Sequence, residues 1–185
     1  MTPEEQSLDA VIRILERLNV PYMITGSLAA SHHGRPRATH DADVVIDLDR
    51  DQLDALVRDL DAANFYVDAA GAREALAQRR QFSAIDAAHA WKIDLIIRKE
   101  REFSREEFSR RQHVDVGFGR PLAMVTPEDA VLSKLEWAKR TDSERQLRDA
   151  AAIVELNPTL DRRYLAYWAN QLGVVDLWQT ISGAE

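Results

Sequence analysis

The sequence predicts a mixed α/β (α+β) fold, a mixed sheet with helices followed by a C-terminal helical bundle. Three observations predict it. Strand and helix patterns alternate from Leu8 to Val125, two of the strands alternate apolar and polar residues, and from Thr126 onward only helical periodicity remains. At roughly 150 residues per domain, the 185 residues make about one domain, read as an α/β core over residues 1–125 with residues 126–185 as a helical subdomain packed on it.

The first helix is predicted from Leu8, Val11, Ile12, Leu15 and Leu18, one apolar stripe opened near Thr2-Pro3. Pro21 to Thr25 reads as a short buried strand that stops at Gly26-Ser27, and Leu28 to Ser31 starts a helix. After the break at Gly34 and Pro36, Asp41 to Leu48 is a strand with Ala42, Val44, Ile46 and Leu48 on one face. A helix over Asp51 to Ala63 buries Leu53, Leu56, Val57 and Leu60, and a shorter one covers Ala72 to Gln78. Phe82–Asp86 and Trp91–Ile97 are strands joined by a hairpin or a sharp corner.

Arg98 to Arg111 mixes six basic and four acidic residues around Phe103 and Phe108, the pattern of a solvated helix with a thin apolar contact. Two short strands, His113–Phe118 and Pro121–Val125, complete the core. Thr126 is a good N-cap, Pro127 suits the first helical position, and Glu128 and Asp129 complement the helix dipole. Three more helices follow, around Leu147 to Val154, Tyr164 to Trp168 and Val174 to Trp178. Trp137, Trp168 and Trp178 read as packing aromatics.

Composition narrows the function. Hydrophobic residues make up 45% and charged residues 30%, the balance of an ordinary globular protein. No apolar stretch is long enough to span a bilayer. The acidic start Met1-Thr2-Pro3-Glu4-Glu5 lacks the features of a signal peptide, so the expected location is the cytoplasm. The absence of cysteine removes disulfides, thiol catalysis and Cys-type zinc sites. A net charge of −7 argues against broad nonspecific binding to DNA and leaves room for a local basic patch.

The residues that carry chemistry are acidic. Asp41 and Asp43 stand at i and i+2 on one strand, so both carboxylates leave the same face within reach of one cation. Asp94 joins them if its strand is a neighbour. Three carboxylates with open coordination positions suit Mg²⁺ (or Mn²⁺), completed by substrate phosphates. Gly26-Ser27 at a helix N-terminus exposes backbone N–H groups and a hydroxyl to a triphosphate. Arg37 is a candidate phosphate contact and Arg35 a weaker one. His32, His33 and His40 lack the acid spacing of a metal site and read as solvated or hydrogen-bonding residues. Asp47 and Asp49 read as caps for the following helix, and Glu144–Arg148 and Arg145–Asp149 as i, i+4 ion pairs.

Gly26-Ser27, thirteen residues, then Asp41-x-Asp43 and a later Asp94 resemble the nucleotidyltransferase fold shared by polymerase-beta-type enzymes, aminoglycoside nucleotidyltransferases and type IV toxins of the AbiEii class. Gly34 to Asp43 is similar to the G-x-x-R-x-T-x-D-x-D form of the small bacterial AbiEii-like branch, whose helical tail carries a lysine and a basic-Asp pair, here Lys134 and Arg148-Asp149. The resemblance implies transfer of a nucleoside monophosphate from an NTP to a hydroxyl acceptor, tRNA, protein or a small molecule, with release of pyrophosphate. It implies Asp41 and Asp43 as metal ligands, Asp94 as ligand or base, and Gly26, Ser27, Arg37, Thr39 and Lys134 as nucleotide contacts. A cognate antitoxin is a further implied partner. The rival reading is a noncatalytic member of the same fold that binds a nucleotide or a protein in a toxin–antitoxin or defence pair.

Overall fold

The computed structural model describes residues 2–39 and 41–183. Helix α1 (Pro3–Arg17) begins with a capping box in which Thr2 accepts the Glu5 N–H and Glu5 accepts the Thr2 N–H. Its stripe Leu8, Val11, Ile12 and Leu15 is buried. The chain continues through β1 (Tyr22–Thr25), α2 (Gly26–His33), β2 (Asp41–Ile46), α3 (Arg50–Ala62), β3 (Phe65–Tyr66), α4 (Ala69–Gln78), β4 (Gln81–Asp86), β5 (Trp91–Ile97) and α5 (Glu102–Ser109). Strands β6 (Gln112–Asp115) and β7 (Pro121–Met124) precede the helices α6 (Pro127–Thr141), α7 (Glu144–Leu156), α8 (Arg162–Gln171) and α9 (Val175–Ser182).

The described strands form one mixed sheet in the order β3-β4-β5-β2-β1-β7-β6. Two pairs are parallel, β2 with β5 and β1 with β7. The remaining pairs are antiparallel, including the β4–β5 hairpin, in which Asp86 lies opposite Trp91. On one face Ala42, Val44 and Ile46 of β2 and Ile93, Leu95 and Ile97 of β5 are excluded from solvent, and α1, packed on β5 and α3, covers that side. Side chains alternate across a strand, so Asp41 and Asp43 of β2 and Lys92 and Asp94 of β5 are left on the opposite face.

Four differences from the sequence reading have local causes. The helix expected over residues 98–111 occupies only Glu102–Ser109, because the Arg98 N–H is bound to the Ile46 carbonyl and prolongs the β5 pairing. The strand expected to reach Phe118 ends at Asp115, whose carboxylate accepts the Gly117 N–H, and Gly117 and Gly119 turn the chain at positive φ. Asp49 caps α3 as expected, in a box with Gln52, whereas Asp47 pairs with Arg98 at 2.9 Å instead. Strand β3, two residues long, carries too little pattern to be expected at all.

The helical tail rests on the core through α2, which contacts both α6 and α7. The start of α6 is tied by Asp129, fully buried, which accepts hydrogen bonds from Thr126 Oγ1 (2.7 Å), Tyr164 Oη (2.6 Å) and Arg110 Nε (3.1 Å). A buried carboxylate requires that number of partners. The end of α2 is fixed by His33, whose Nε2–H donates to the Val125 carbonyl at 2.7 Å and whose own carbonyl accepts from Asn157 Nδ2 at 2.7 Å. Burial holds the His33 imidazole below its ordinary range, so it is a neutral structural donor, as the hydrogen-bonding reading expects. His40 lies outside the described residues.

Candidate active site

The site begins at the β1–α2 junction. Gly26, at φ +64°, takes the left-handed conformation that glycine alone enters without strain. A Cβ placed on it would lie 1.9 Å from Asp43 Oδ2 and 2.8 Å from Asp43 Cβ. Only a glycine lets the backbone at the start of α2 come this close to the carboxylate strand. The register then brings the acids together: Thr25 is opposite Asp43 on one side, and Asp43 is opposite Asp94 on the other. Asp41 is opposite Lys92.

The three aspartates differ in surroundings. Burial, then the charges of Asp41 and Asp94, push the Asp43 carboxyl up, against the pull of Lys134 and Lys92. Asp94 is buried and accepts from Ser83 Oγ at 2.6 Å and from Lys92 Nζ at 2.7 Å. The bond to Asp94 holds the Lys92 ammonium above its ordinary range, and Lys92 Nζ also stands 4.0 Å from Asp41. Asp41 is steadied by Thr39, whose Oγ1 donates to the Asp41 carbonyl at 3.0 Å.

Among the described residues no three His, Cys, Asp or Glu side chains stand together as a finished metal cage. The donor chemistry nevertheless fits a hard divalent ion. Asp41 and Asp43 present two carboxylates on one face, and the repulsion that raises the Asp43 carboxyl is what such a cation would remove. Lys92 supplies part of that neutralising charge in the structure as it stands.

Beside the acids lies a basic cluster. Arg37 NH2 donates to Ser27 Oγ at 2.7 Å and stands 3.3 Å from Asp149, which also accepts from Lys134 Nζ at 3.0 Å. The pair expected between Arg145 and Asp149 is replaced by these contacts, because Asp149 turns inward to the buried Lys134. Glu144–Arg148 forms as expected at 3.3 Å. Burial lowers the Lys134 ammonium, opposed by Asp149. Arg35 pairs with the exposed Glu155 at 2.8 Å, away from this cluster.

A cleft of about 490 Å³ runs from these groups outward between the sheet and α6. Gly26, Ser27, Asp43 and Lys134 line its inner end, while Arg37, Thr39, Asp41 and Asp94 are not part of its wall. Sequence reading does not find several residues of the site. Lys92 shares a face with Asp94 two positions on, and that parity is a usable signal. Gln146, Arg80 and Arg140 reach the cleft from separate segments with no local signal. Trp137, expected to pack, is 46% exposed because it continues the side of α6 that Ser133 and Lys134 turn to the cleft, while Leu135 and Ala138 keep to the core.

Glu107 also lines the cleft, buried, with its Oε1 accepting from Ser133 Oγ at 3.2 Å. Burial, then the charge of Asp129, pushes its carboxyl up to about 8. A carboxyl raised in the folded state contributes stability that is present below the ordinary Glu range and drains away as pH rises through the folded value. Glu107→Gln is therefore expected to match the parent's melting temperature near pH 5 and exceed it at pH 8 to 9. Thermal melts across that range check it, and parallel curves would contradict it.

No protein-family model and no curated protein matches the chain. Solved structures do. It is similar to ANT(2")-Ia in complex with adenylyl-2"-tobramycin, with TM-score 0.63 and 13% identity, covering 93% of this chain and 98% of that one. It is similar to the lincosamide antibiotic adenylyltransferase LnuA, lincomycin-bound, with TM-score 0.58 and 10% identity over 82% of this chain and 97% of that one. An antigenic nucleotidyltransferase-like protein from Paracoccidioides brasiliensis aligns with TM-score 0.56 and 16% identity over 100% of this chain and 95% of that one. At these identities the likeness establishes the fold, a nucleotidyltransferase fold, with seven strands in one mixed sheet among the described residues. No helix among the described residues is long and apolar enough to cross a membrane.

Proposed function

We propose that this protein is a divalent-metal-dependent nucleotidyltransferase that moves a nucleoside monophosphate from an NTP to a hydroxyl acceptor. The observation that carries the reading is the contact of Gly26 with Asp43, where the N-terminus of α2 meets the carboxylate strand too closely for any side chain. That junction sets backbone N–H groups for phosphate oxygens directly beside the acids.

In this reading Ser27 and the first N–H groups of α2 hold the triphosphate, and Arg37 and Lys134 face its negative charge from the helical side. Asp41 and Asp43 hold Mg²⁺ or Mn²⁺, with Asp94 as third ligand or as base. When bound, the ion neutralises charge on the reacting phosphates. The acceptor oxygen forms a bond to the α-phosphorus, the bond from that phosphorus to the bridging oxygen breaks, and pyrophosphate leaves with the electron pair. The acceptor's proton passes to a carboxylate, for which Asp94, already the acceptor of Ser83 and Lys92 hydrogen bonds, is the candidate. Little else is required of the protein, since phosphoryl-type transfer depends on positioning and charge neutralisation.

The likeness to adenylyltransferases that modify antibiotics favours a small-molecule acceptor. The AbiEii-like branch, with tRNA or protein as acceptor and a cognate antitoxin as partner, rests on the Gly34–Asp43 motif. The noncatalytic alternative is favoured by one observation, the engagement of Asp94 by Lys92. Release of labelled pyrophosphate from γ-labelled NTPs separates the two. Metal-dependent release, reduced in Asp94→Asn, supports the enzyme, and NTP binding without release under any acceptor tested supports the binding protein.

A further inference from the structure

The outer half of the cleft has a charge opposite to that of the protein. The chain carries −7 overall, yet seven Lys and Arg against three Asp and Glu line this cavity. Four of the seven are committed within the protein: Arg79 to Glu100 (2.6 Å), Arg98 to Asp47 (2.9 Å), Arg101 to Glu136 (2.6 Å) and Lys134 to Asp149 (3.0 Å). Arg80, Lys99 and Arg140 have no carboxylate partner among the described residues, and they reach this cleft from three separate segments, the first two beside the sheet and the third on α6. Like charges gathered in this way repel, and nothing in the fold requires them to converge.

A further observation points to a ligand. Trp137 is 46% exposed, whereas Trp91, Trp168 and Trp178 are all below 8%, and the Arg140 guanidinium lies 4.6 Å from the Trp137 ring. An open indole beside a guanidinium group is a surface on which a flat heteroaromatic ring stacks while its phosphate is neutralised. Gln146, on α7, also lines the cleft, and its buried Oε1 has no hydrogen-bond partner among the described residues.

We infer that this outer half is the acceptor site and that the acceptor is a nucleotide unit, with its phosphates on Arg80, Lys99 and Arg140 and its base on Trp137. The inference rests on the nucleotidyltransferase reading for the inner half, where the donor triphosphate belongs. It departs from what the antibiotic-bound neighbours suggest, because the cleft selects negative charge. A free nucleotide and the end of a single strand share this chemistry.

The test uses the full chain with Mg²⁺ and a saturating non-hydrolysable ATP analogue, whose own binding is measured first by calorimetry. Tryptophan emission is then followed on titration with AMP and with a short single-stranded oligoribonucleotide. The expected result is quenching that disappears in Trp137→Phe and affinity that falls at least about tenfold in Arg80→Glu/Lys99→Glu/Arg140→Glu, with analogue binding retained. For single strands log affinity falls with log salt by about 0.7 per phosphate contact, so a three-contact oligomer gives a slope near −2 that the triple variant loses. Lys99→Glu alone, at an exposed position, gives a smaller loss in the same direction and serves if the triple variant folds poorly. Equal affinity for the two probes identifies a free nucleotide, and tighter oligomer binding identifies a strand end.

The inference is overturned if neither probe quenches, if the charge reversals leave affinity unchanged, or if the analogue alone quenches Trp137 and blocks both probes. If the analogue fails to bind, the donor reading falls, and the same titration without it still decides the acceptor site.

Discussion

Replacing Asp43 by Ala is expected to abolish nucleotidyl transfer while leaving the melting temperature unchanged or raised. Asp43 lies at the one point where β1, β2, β5 and the start of α2 meet, opposite both Thr25 and Asp94. Removing a group preorganised for charge in the reacting centre costs about 10²–10³ in rate at the least. Stability moves the other way. Burial and the charges of Asp41 and Asp94 raise the Asp43 carboxyl, so the ionised form is disfavoured in the folded chain relative to the unfolded one. A raised carboxyl costs stability at neutral pH and stops doing so as pH falls to the ordinary carboxylate range. The gain in melting temperature of Asp43→Ala, measured in EDTA, is therefore greatest near pH 7 and shrinks toward pH 4. A variant that is inactive because it is unfolded, or one that keeps the parent's rate, would contradict the assignment.

Gly26→Ala is expected to be the most damaging single-methyl change in the chain. The left-handed conformation costs an L-residue about 1–2 kcal/mol, and the new Cβ falls on the Asp43 side chain down to its own Cβ, which a rotation cannot clear. For a chain of this length each kcal/mol lowers the melting temperature by about 2–4 °C. Asp43 must also leave its place, so NTP binding fails with the fold intact. The double variant with Asp43→Gly removes every Asp43 atom that the methyl meets, and a coupling energy of about 1 kcal/mol or more is expected for groups in direct contact. Additive losses would show that the close approach is not there.

How far the sequence reveals this arrangement depends on whether the information is local. Alternation along a strand is local, so the shared face of Asp41 and Asp43, and the outward parity of Asp94, are legible without a structure. Caps are local too, and Thr2, Asp49 and Thr126 all cap as their side chains suggest. The neighbour relation of β2 and β5 is not local; fifty residues separate Asp43 from Asp94, and only the sheet order makes them opposite. Choices among several available partners are equally hidden. Asp149 has Arg145 four residues away on its own helix and takes Lys134 and Arg37 instead, because a buried ammonium demands a counter-charge and a surface pair is worth little. Trp137 stands near Leu135 and Ala138 in sequence, yet it lies on the side of α6 shared with Ser133 and Lys134, and only the position of the cleft decides that its ring is open.

The central claim is that the carboxylate strand and the start of α2 form one site for a metal-bound triphosphate. Calorimetric titration of the full chain with each of the four NTPs, in Mg²⁺ and in EDTA, repeated on Asp41→Asn, tests it most directly. Asp41 is half exposed and its side chain has no part in the core, so the variant keeps the fold while losing one of the two carboxylates proposed to hold the metal. The account predicts saturable binding of at least one NTP in Mg²⁺, lost in EDTA and strongly weakened in the variant. Binding that is indifferent to both the metal and Asp41, or no binding of any NTP, would contradict it.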